Sequence, residues 1–194
     1  MLIDLSLPVR TNIPLSVMEE KTPAAVRAAD LIAQGHVGTH VDRLLGSEIP
    51  LEFSRPRALC FDVRPWSDTR EIVREDLPLT LLQPGDAVLF HTGAMARHGY
   101  GSAAYLAHPL VLSWEVINEL LQRKVRFIGV DAGGLRPGED HRAVDEHCER
   151  GGAYVIENLR QLEDVPVGTA FTLQVAWFDA GGTGLPCRVV AEVA

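Results

Sequence analysis

Ser113-Trp-Glu-Val-Ile-Asn-Glu-Leu-Leu-Gln-Arg-Lys-Val-Arg-Phe-Ile-Gly-Val-Asp131 is the stretch on which the fold is decided. Ser113 suits a helix N-cap and Glu115 falls in the first turn. Trp114, Ile117, Leu120 and Leu121 then recur at helical spacing. Val125 to Val130 is a short apolar run rich in β-branched and aromatic residues, which predicts a buried strand. Asp131 stands at its C-terminal end.

Outward from this helix–strand unit the same grammar repeats. Leu2 to Leu7 alternates as a short strand that Pro8 stops, and the region from Pro14 to Pro23 reads as irregular. Ala24 to Ala33 predicts a helix stopped at Gly35. Arg43 to Pro56 reads as a loop, and Ala58 to Val63 as a strand. Asp76 to Leu82 suggests a turn of helix. Pro84-Gly85-Asp86 is a turn leading into a buried strand, Ala87 to His91, which Thr92-Gly93 ends. Arg97 to Pro109, rich in glycine and alanine, reads as an exposed loop. Asp140 to Arg150 predicts a helix ended by Gly151-Gly152, and Ala153 to Ile156 a strand with Glu157 at its end. Ala170 to Phe178 and Arg188 to Val193 are further strands around a glycine-rich turn, Asp179 to Gly184. Helices alternating with strands imply an α/β fold, a mixed sheet flanked by helices in a single domain over 1–194.

Composition narrows the function. The chain has 194 residues, 46% hydrophobic, and a formal net charge of -8. That size supports a substantial core. The acidic balance argues against nucleic-acid or anionic-membrane partners, which call for a basic patch. No apolar run is long enough to span a bilayer, and the N-terminal residues lack the pattern of a signal peptide. Cys60, Cys148 and Cys187 are odd in number and far apart, consistent with reduced thiols in a cytoplasmic protein.

The densest chemistry lies in Gly35-His36-Val37-Gly38-Thr39-His40-Val41-Asp42. Two imidazoles and a carboxylate within seven residues suit zinc, manganese or iron(II), with positions left open for water and substrate. The glycine and β-branched residues favour a turn or strand end over a helix. Asp131 and Glu157 close apolar strands, where active sites of α/β proteins are commonly built. Glu157 carries more weight, because a hydrolytic metal calls for a further carboxylate. His141 and Asp145 share one helical face at i, i+4, whereas His147 points elsewhere on a regular helix. His91, His98 and His108 have no partner at a ligand-like spacing and read as structural or rim residues.

These residues together resemble the cyclase family of metal-dependent hydrolases, which includes kynurenine formamidases and isatin hydrolases. The family pattern HxGTHxDxPxH matches His36 to Asp42 without a break. Asp4-Leu5-Ser6, Pro84-Gly85-Asp86, His91-Thr92-Gly93, Gly129-Val130-Asp131, Glu157-Asn158-Leu159 and Pro186-Cys187-Arg188 resemble further family landmarks, in order along the chain. The resemblance implies a swivelling β/β/α fold and a divalent metal, zinc or manganese, bound by His36, His40 and Asp42. Glu157 is implied as a further ligand or catalytic carboxylate. It also implies hydrolysis of a small-molecule amide, formamide or lactam by a metal-activated water, in a homodimer or homotetramer.

The chain departs from the pattern after Asp42. Arg43-Leu44-Leu45-Gly46 replaces x-Pro-x-His, so the last histidine of the pattern is Gly46. The histidine expected twelve residues before Glu157 is Asp145, with His147 reaching that place only if the intervening turn differs in length. Leu185 replaces the serine of the terminal SPVR motif. These departures favour one metal over two, with Glu157 and either Asp145 or His147 moving the proton. The alternative is a catalytically altered relative acting as a cyclase or lyase, or as a metal- or ligand-binding protein.

Overall fold

The computed structural model describes residues 1–8, 28–107 and 110–194, so the 14–23 region and His108 lie outside the described residues. The strands are β1 (Leu2–Asp4), β2 (His40–Asp42), β3 (Arg57–Asp62), β4 (Ala87–His91), β5 (Phe127–Val130), β6 (Tyr154–Glu157), β7 (Phe171–Trp177) and β8 (Gly184–Glu192). The helices are α1 (Ala28–Gln34), α2 (Arg64–Ser67), α3 (Ala94–His98), α4 (Ala103–Leu106), α5 (Trp114–Gln122) and α6 (Glu139–Arg150).

The strands form one sheet in the order β1-β8-β2-β6-β5-β4-β3-β7, and a further β7–β8 pairing closes it into a barrel-like ring, with β1 attached at β8. β3, β4, β5 and β6 run parallel, and β2, β7, β8 and β1 are joined by antiparallel pairs. The expected mixed α/β sheet is present. β8 starts at Gly184 rather than Arg188, because its first residues pair with β2 while its last pair with β1.

Side-chain alternation sorts each parallel strand between two apolar cores. Ala58, Cys60, Ala87, Leu89, Phe127 and Ile156 fill the ring interior together with Val175 and Val189. Leu59, Phe61, Val88, Phe90, Ile128 and Val155 face outward, where Val116, Ile117 and Leu120 of α5 and Val144 and Cys148 of α6 cover them. Strands buried on both faces carry continuous apolar runs, which is why the sequence marks them so clearly. α5 is capped as its sequence predicts, with Val116 N donating to Ser113 Oγ at 3.2 Å.

The segment read as an exposed loop, Arg97 to Pro109, is different. It contains the end of α3 and all of α4, with Ser102 Oγ accepting from Tyr105 N at 3.1 Å, and Tyr105 is buried. Its glycine and alanine content signals a loop, but the packing of Tyr100 and Tyr105 against each other overrides that composition. Among the described residues no helix is long and apolar enough to cross a membrane.

Candidate functional site

Three elements bring the ionisable groups together. The turn before β2 presents His36, and β2 carries His40 and Asp42. His40 is paired directly across from Glu157, the last residue of β6. α6, the crossover between β5 and β6, supplies His141 and Asp145 from one face.

The first cluster is His36, His40 and Asp42. His36 Nδ1 and His40 Nε2 are 3.1 Å apart, and Asp42 Oδ1 lies 3.1 Å from the former and 3.4 Å from the latter. The outer nitrogens fix the tautomers. His40 Nδ1 faces the carbonyl oxygen of Gly38 at 2.9 Å, which only accepts, so this nitrogen carries the proton. Thr183 donates its hydroxyl to Gln34 Oε1 at 3.3 Å and therefore accepts from His36 Nε2 at 2.8 Å. Two imidazole lone pairs and a carboxylate consequently converge on one point. Without a cation or a shared proton between them they would repel.

The second cluster is His141, Asp145 and Glu157. His141 Nε2 lies 3.6 Å from both Asp145 Oδ2 and Glu157 Oε1. Glu157 Oε2 is 3.6 Å from His40 Nε2, so this carboxylate bridges the two clusters. Gly134 makes room for them. A Cβ there would stand 2.4 Å from His141 Nδ1 and 3.1 Å from Glu157 Oε1, and its φ of +113 is a conformation that favours glycine.

Buried oxygens test whether these residues suit a metal. Asp42 Oδ2, Asp145 Oδ1 and Glu157 Oε1 are buried without a hydrogen-bond partner. A buried unsatisfied carboxylate oxygen is costly unless something positive meets it. Three buried carboxylates that each leave an oxygen unpartnered, in clusters that include two converging imidazole lone pairs, fit a divalent cation.

The electrostatics follow from the same crowding. Burial by itself lowers the His40 pKa, but the Asp42 charge and its hydrogen bond outweigh that and raise it to about 9. Burial by itself raises Asp42, yet the charge of His40 holds its carboxyl well below the usual range. Burial, reinforced by the Asp42 charge, pushes Glu157 upward. Asp145 also rises well above the ordinary carboxylate value, through burial and then the charges of Asp42 and Glu157. The opposed shifts share one cause, three buried carboxylates crowded against His40.

The residue after Glu157 locks the arrangement. Asn158 has a left-handed φ of 59° and is held on every side. Its Nδ2 donates to Gly38 O at 2.9 Å, its Oδ1 accepts from Tyr105 at 2.6 Å, and its carbonyl accepts from Thr39 Oγ1 at 2.7 Å. The motif turn and the end of β6 are thereby tied together.

Both clusters open into a cavity of about 570 Å³, whose wall also includes Leu31, Leu44, Tyr100, Leu106 and Arg142. His147 does not reach it. Its Nε2 lies 2.8 Å from Asn118 Oδ1 and its ring meets Trp114 edge-on, because two residues along a helix from Asp145 is just over a half-turn, which puts it on the opposite face. His147 is therefore corrected as a candidate proton carrier, and His141, one turn before Asp145, occupies the site instead. Asp131 accepts from Thr92 N, Thr92 Oγ1 and Gly93 N at 2.7–2.8 Å, so its carboxylate ties β5 to the turn after β4.

Glu149 was not legible in the sequence. One turn beyond Asp145 on α6, it accepts from Leu45 N at 2.8 Å, Ser47 N at 2.9 Å and Ser47 Oγ at 2.6 Å. It clamps the segment that departs from the family pattern. Gly46 sits in that clamped loop at φ +74 with open space where a side chain would project.

The model of the Cyclase family, described as "Putative cyclase", matches residues 3–136. The chain belongs to the Cyclase family. The matched part contains His36, His40 and Asp42 but ends before α6, so His141, Asp145 and Glu157 lie beyond it. Several solved structures share the Cyclase fold. Isatin hydrolase A from Labrenzia aggregata is 21% identical, with a TM-score of 0.78, over 100% of this chain and 93% of that one. Isatin hydrolase A from Ralstonia solanacearum is 19% identical, with a TM-score of 0.78, over 100% and 92%. A predicted metal-dependent hydrolase from Bacillus stearothermophilus is 22% identical, with a TM-score of 0.74, over 98% and 97%. No curated protein matches the chain.

Proposed function

We propose that this Cyclase-family protein is a metal-dependent hydrolase that opens the C–N bond of a small amide, formamide or lactam. The observation that carries the reading is the convergence of two imidazole lone pairs and the Asp42 carboxylate, with Glu157 Oε2 3.6 Å from His40 Nε2, beside one cavity. His36, His40 and Asp42 would hold the ion, with Glu157 as a further ligand. Zinc and manganese both suit such donors. A bound ion of this kind supplies Lewis acidity, polarising a carbonyl and lowering the pKa of water.

The protein's own groups do the rest. A water oxygen bonds to the carbonyl carbon and gives up a proton. Asp145, buried and raised above the usual carboxylate range, accepts it and returns it to the leaving nitrogen as the C–N bond breaks. His141 at 3.6 Å steadies the negative charge that Asp145 carries before it takes the proton and regains once it has passed it on. The isatin hydrolases among the similar structures support a lactam or another aromatic amide as the substrate.

The test is a panel of anilides, formanilides and lactams, offered to protein loaded with zinc or manganese and to protein stripped by chelator. Hydrolysis should require the metal and return when it is added back. Metal-loaded protein that cleaves none of them would overturn the reading.

A further inference from the structure

Tyr100 and Tyr105 stand side by side at the cavity, with ring centroids 5.6 Å apart at 63°, yet their hydroxyls are used in opposite ways. Tyr105 donates its proton to Asn158 Oδ1 at 2.6 Å in buried surroundings. Tyr100 instead accepts, from Gly38 N at 2.9 Å. A phenol has one proton to donate, and among the described residues nothing accepts the one on Tyr100. Gly38 lies between His36 and His40, so the bond from its amide pins the hydroxyl beside the candidate ligands. Tyr100 lines the same cavity as His36, Asp42 and Glu157. Burial, and then the Glu157 charge, raise the Tyr100 pKa, which keeps the phenol protonated.

We infer that Tyr100 is a catalytic residue whose hydroxyl donates a hydrogen bond to the carbonyl oxygen of the substrate. The bond strengthens as water adds to the carbonyl carbon and the displaced electron pair moves onto that oxygen. This assignment rests on the hydrolase reading. A donor fixed in place before the reaction needs no reorganisation when charge develops, and removing one such donor typically lowers kcat by about 10²–10³-fold. The amide of Gly38 supplies that fixation, and Tyr105 supports the ring from the side.

The experiment compares wild type with Tyr100→Phe, each loaded with zinc. Metal per chain is measured by mass spectrometry, along with kcat and KM for a cleavable amide. Calorimetry then gives the affinity of an uncleaved planar amide and of a phosphonamidate, the tetrahedral mimic of the same substrate. The expected result is unchanged metal content, a kcat lowered by roughly 10²-fold with little change in KM, and mimic binding weakened by at least about tenfold while the planar amide is spared. A purely structural role would weaken both ligands alike or lower metal content, and either outcome overturns the inference. So does an unchanged kcat in the variant while the wild type is active, which sinks the assignment of Tyr100 alone. A wild type that cleaves no amide sinks the hydrolase reading and this inference with it. Tyr100→Met, which removes the hydroxyl and fills similar apolar space, is the second variant. If Tyr100→Phe does not fold, mimic binding weakened selectively in Tyr100→Met supports the donor role, and both ligands weakened alike count against it.

Discussion

His40 is the residue on which the site's pH behaviour turns. Its Nδ1 proton is committed to Gly38 O, so the proton it holds up to a pKa of about 9 sits on Nε2, the nitrogen facing His36, Asp42 and Glu157. A metal must displace that proton. Below about pH 9 metal uptake should therefore release protons, and apparent affinity should fall up to about tenfold per displaced proton for each unit of acidification. The same shift has a sign for stability. A folded pKa raised above the ordinary 6.5 stabilises the metal-free protein fully below 6.5, and that contribution is lost as pH rises through about 9. Chelated protein should melt at a lower temperature at pH 9 than at pH 6.5. Calorimetric melting and proton-release titration check the two halves, and pH-independent metal uptake would contradict them.

At the scale of elements, α6 does three jobs from one face. His141, Asp145 and Glu149 recur at i, i+4 and i+8, so the helix brings two groups to the cavity and spends the third on the loop from Arg43 to Ser47. Leu44 of that loop lines the cavity, so the clamp shapes the wall. Glu149→Gln keeps the side-chain shape but places an amide N–H against a backbone N–H. It should cost about 1–3 kcal/mol of stability, measured by denaturant unfolding, and expose the loop to protease. An unchanged midpoint would show that the clamp is dispensable. The same helix explains why one sequence expectation missed. Counting twelve residues back from Glu157 reaches Asp145, and His147 enters only through a turn of different length, whereas helical geometry rotates it toward Asn118 and Trp114. The shared face of His141 and Asp145 was the better signal. The segment from Arg97 to Pro109 misled for another reason, since Gly99, Gly101 and the alanines say loop and only the packing of two tyrosines says otherwise.

Across the whole molecule, the legible parts are those in which local pattern and global fold agree. Apolar runs such as Phe127–Val130 announce strands buried on both faces, and Ser113 announces its helix. His36 to Asp42 was legible because its donors are contiguous. The closure of the ring through β7 and β8, and the meeting of α6 with the end of β6, were not, because they join residues far apart in the chain. Of the second cluster, Asp145, Glu157 and the face shared by His141 and Asp145 were legible, but not that the three side chains meet in space. The central claim is that these converging donors hold a divalent cation. Calorimetric titration of chelated protein with zinc and with manganese tests it most directly, alongside Asp42→Asn. Loss of an outer-shell partner typically weakens metal binding by 10–100-fold, so loss of this ligand should weaken it by more than about 100-fold. The account predicts at least one tightly bound ion per chain in the wild type and that loss in a still-folded variant. Binding that is absent in the wild type, or unaffected by Asp42→Asn, would contradict it.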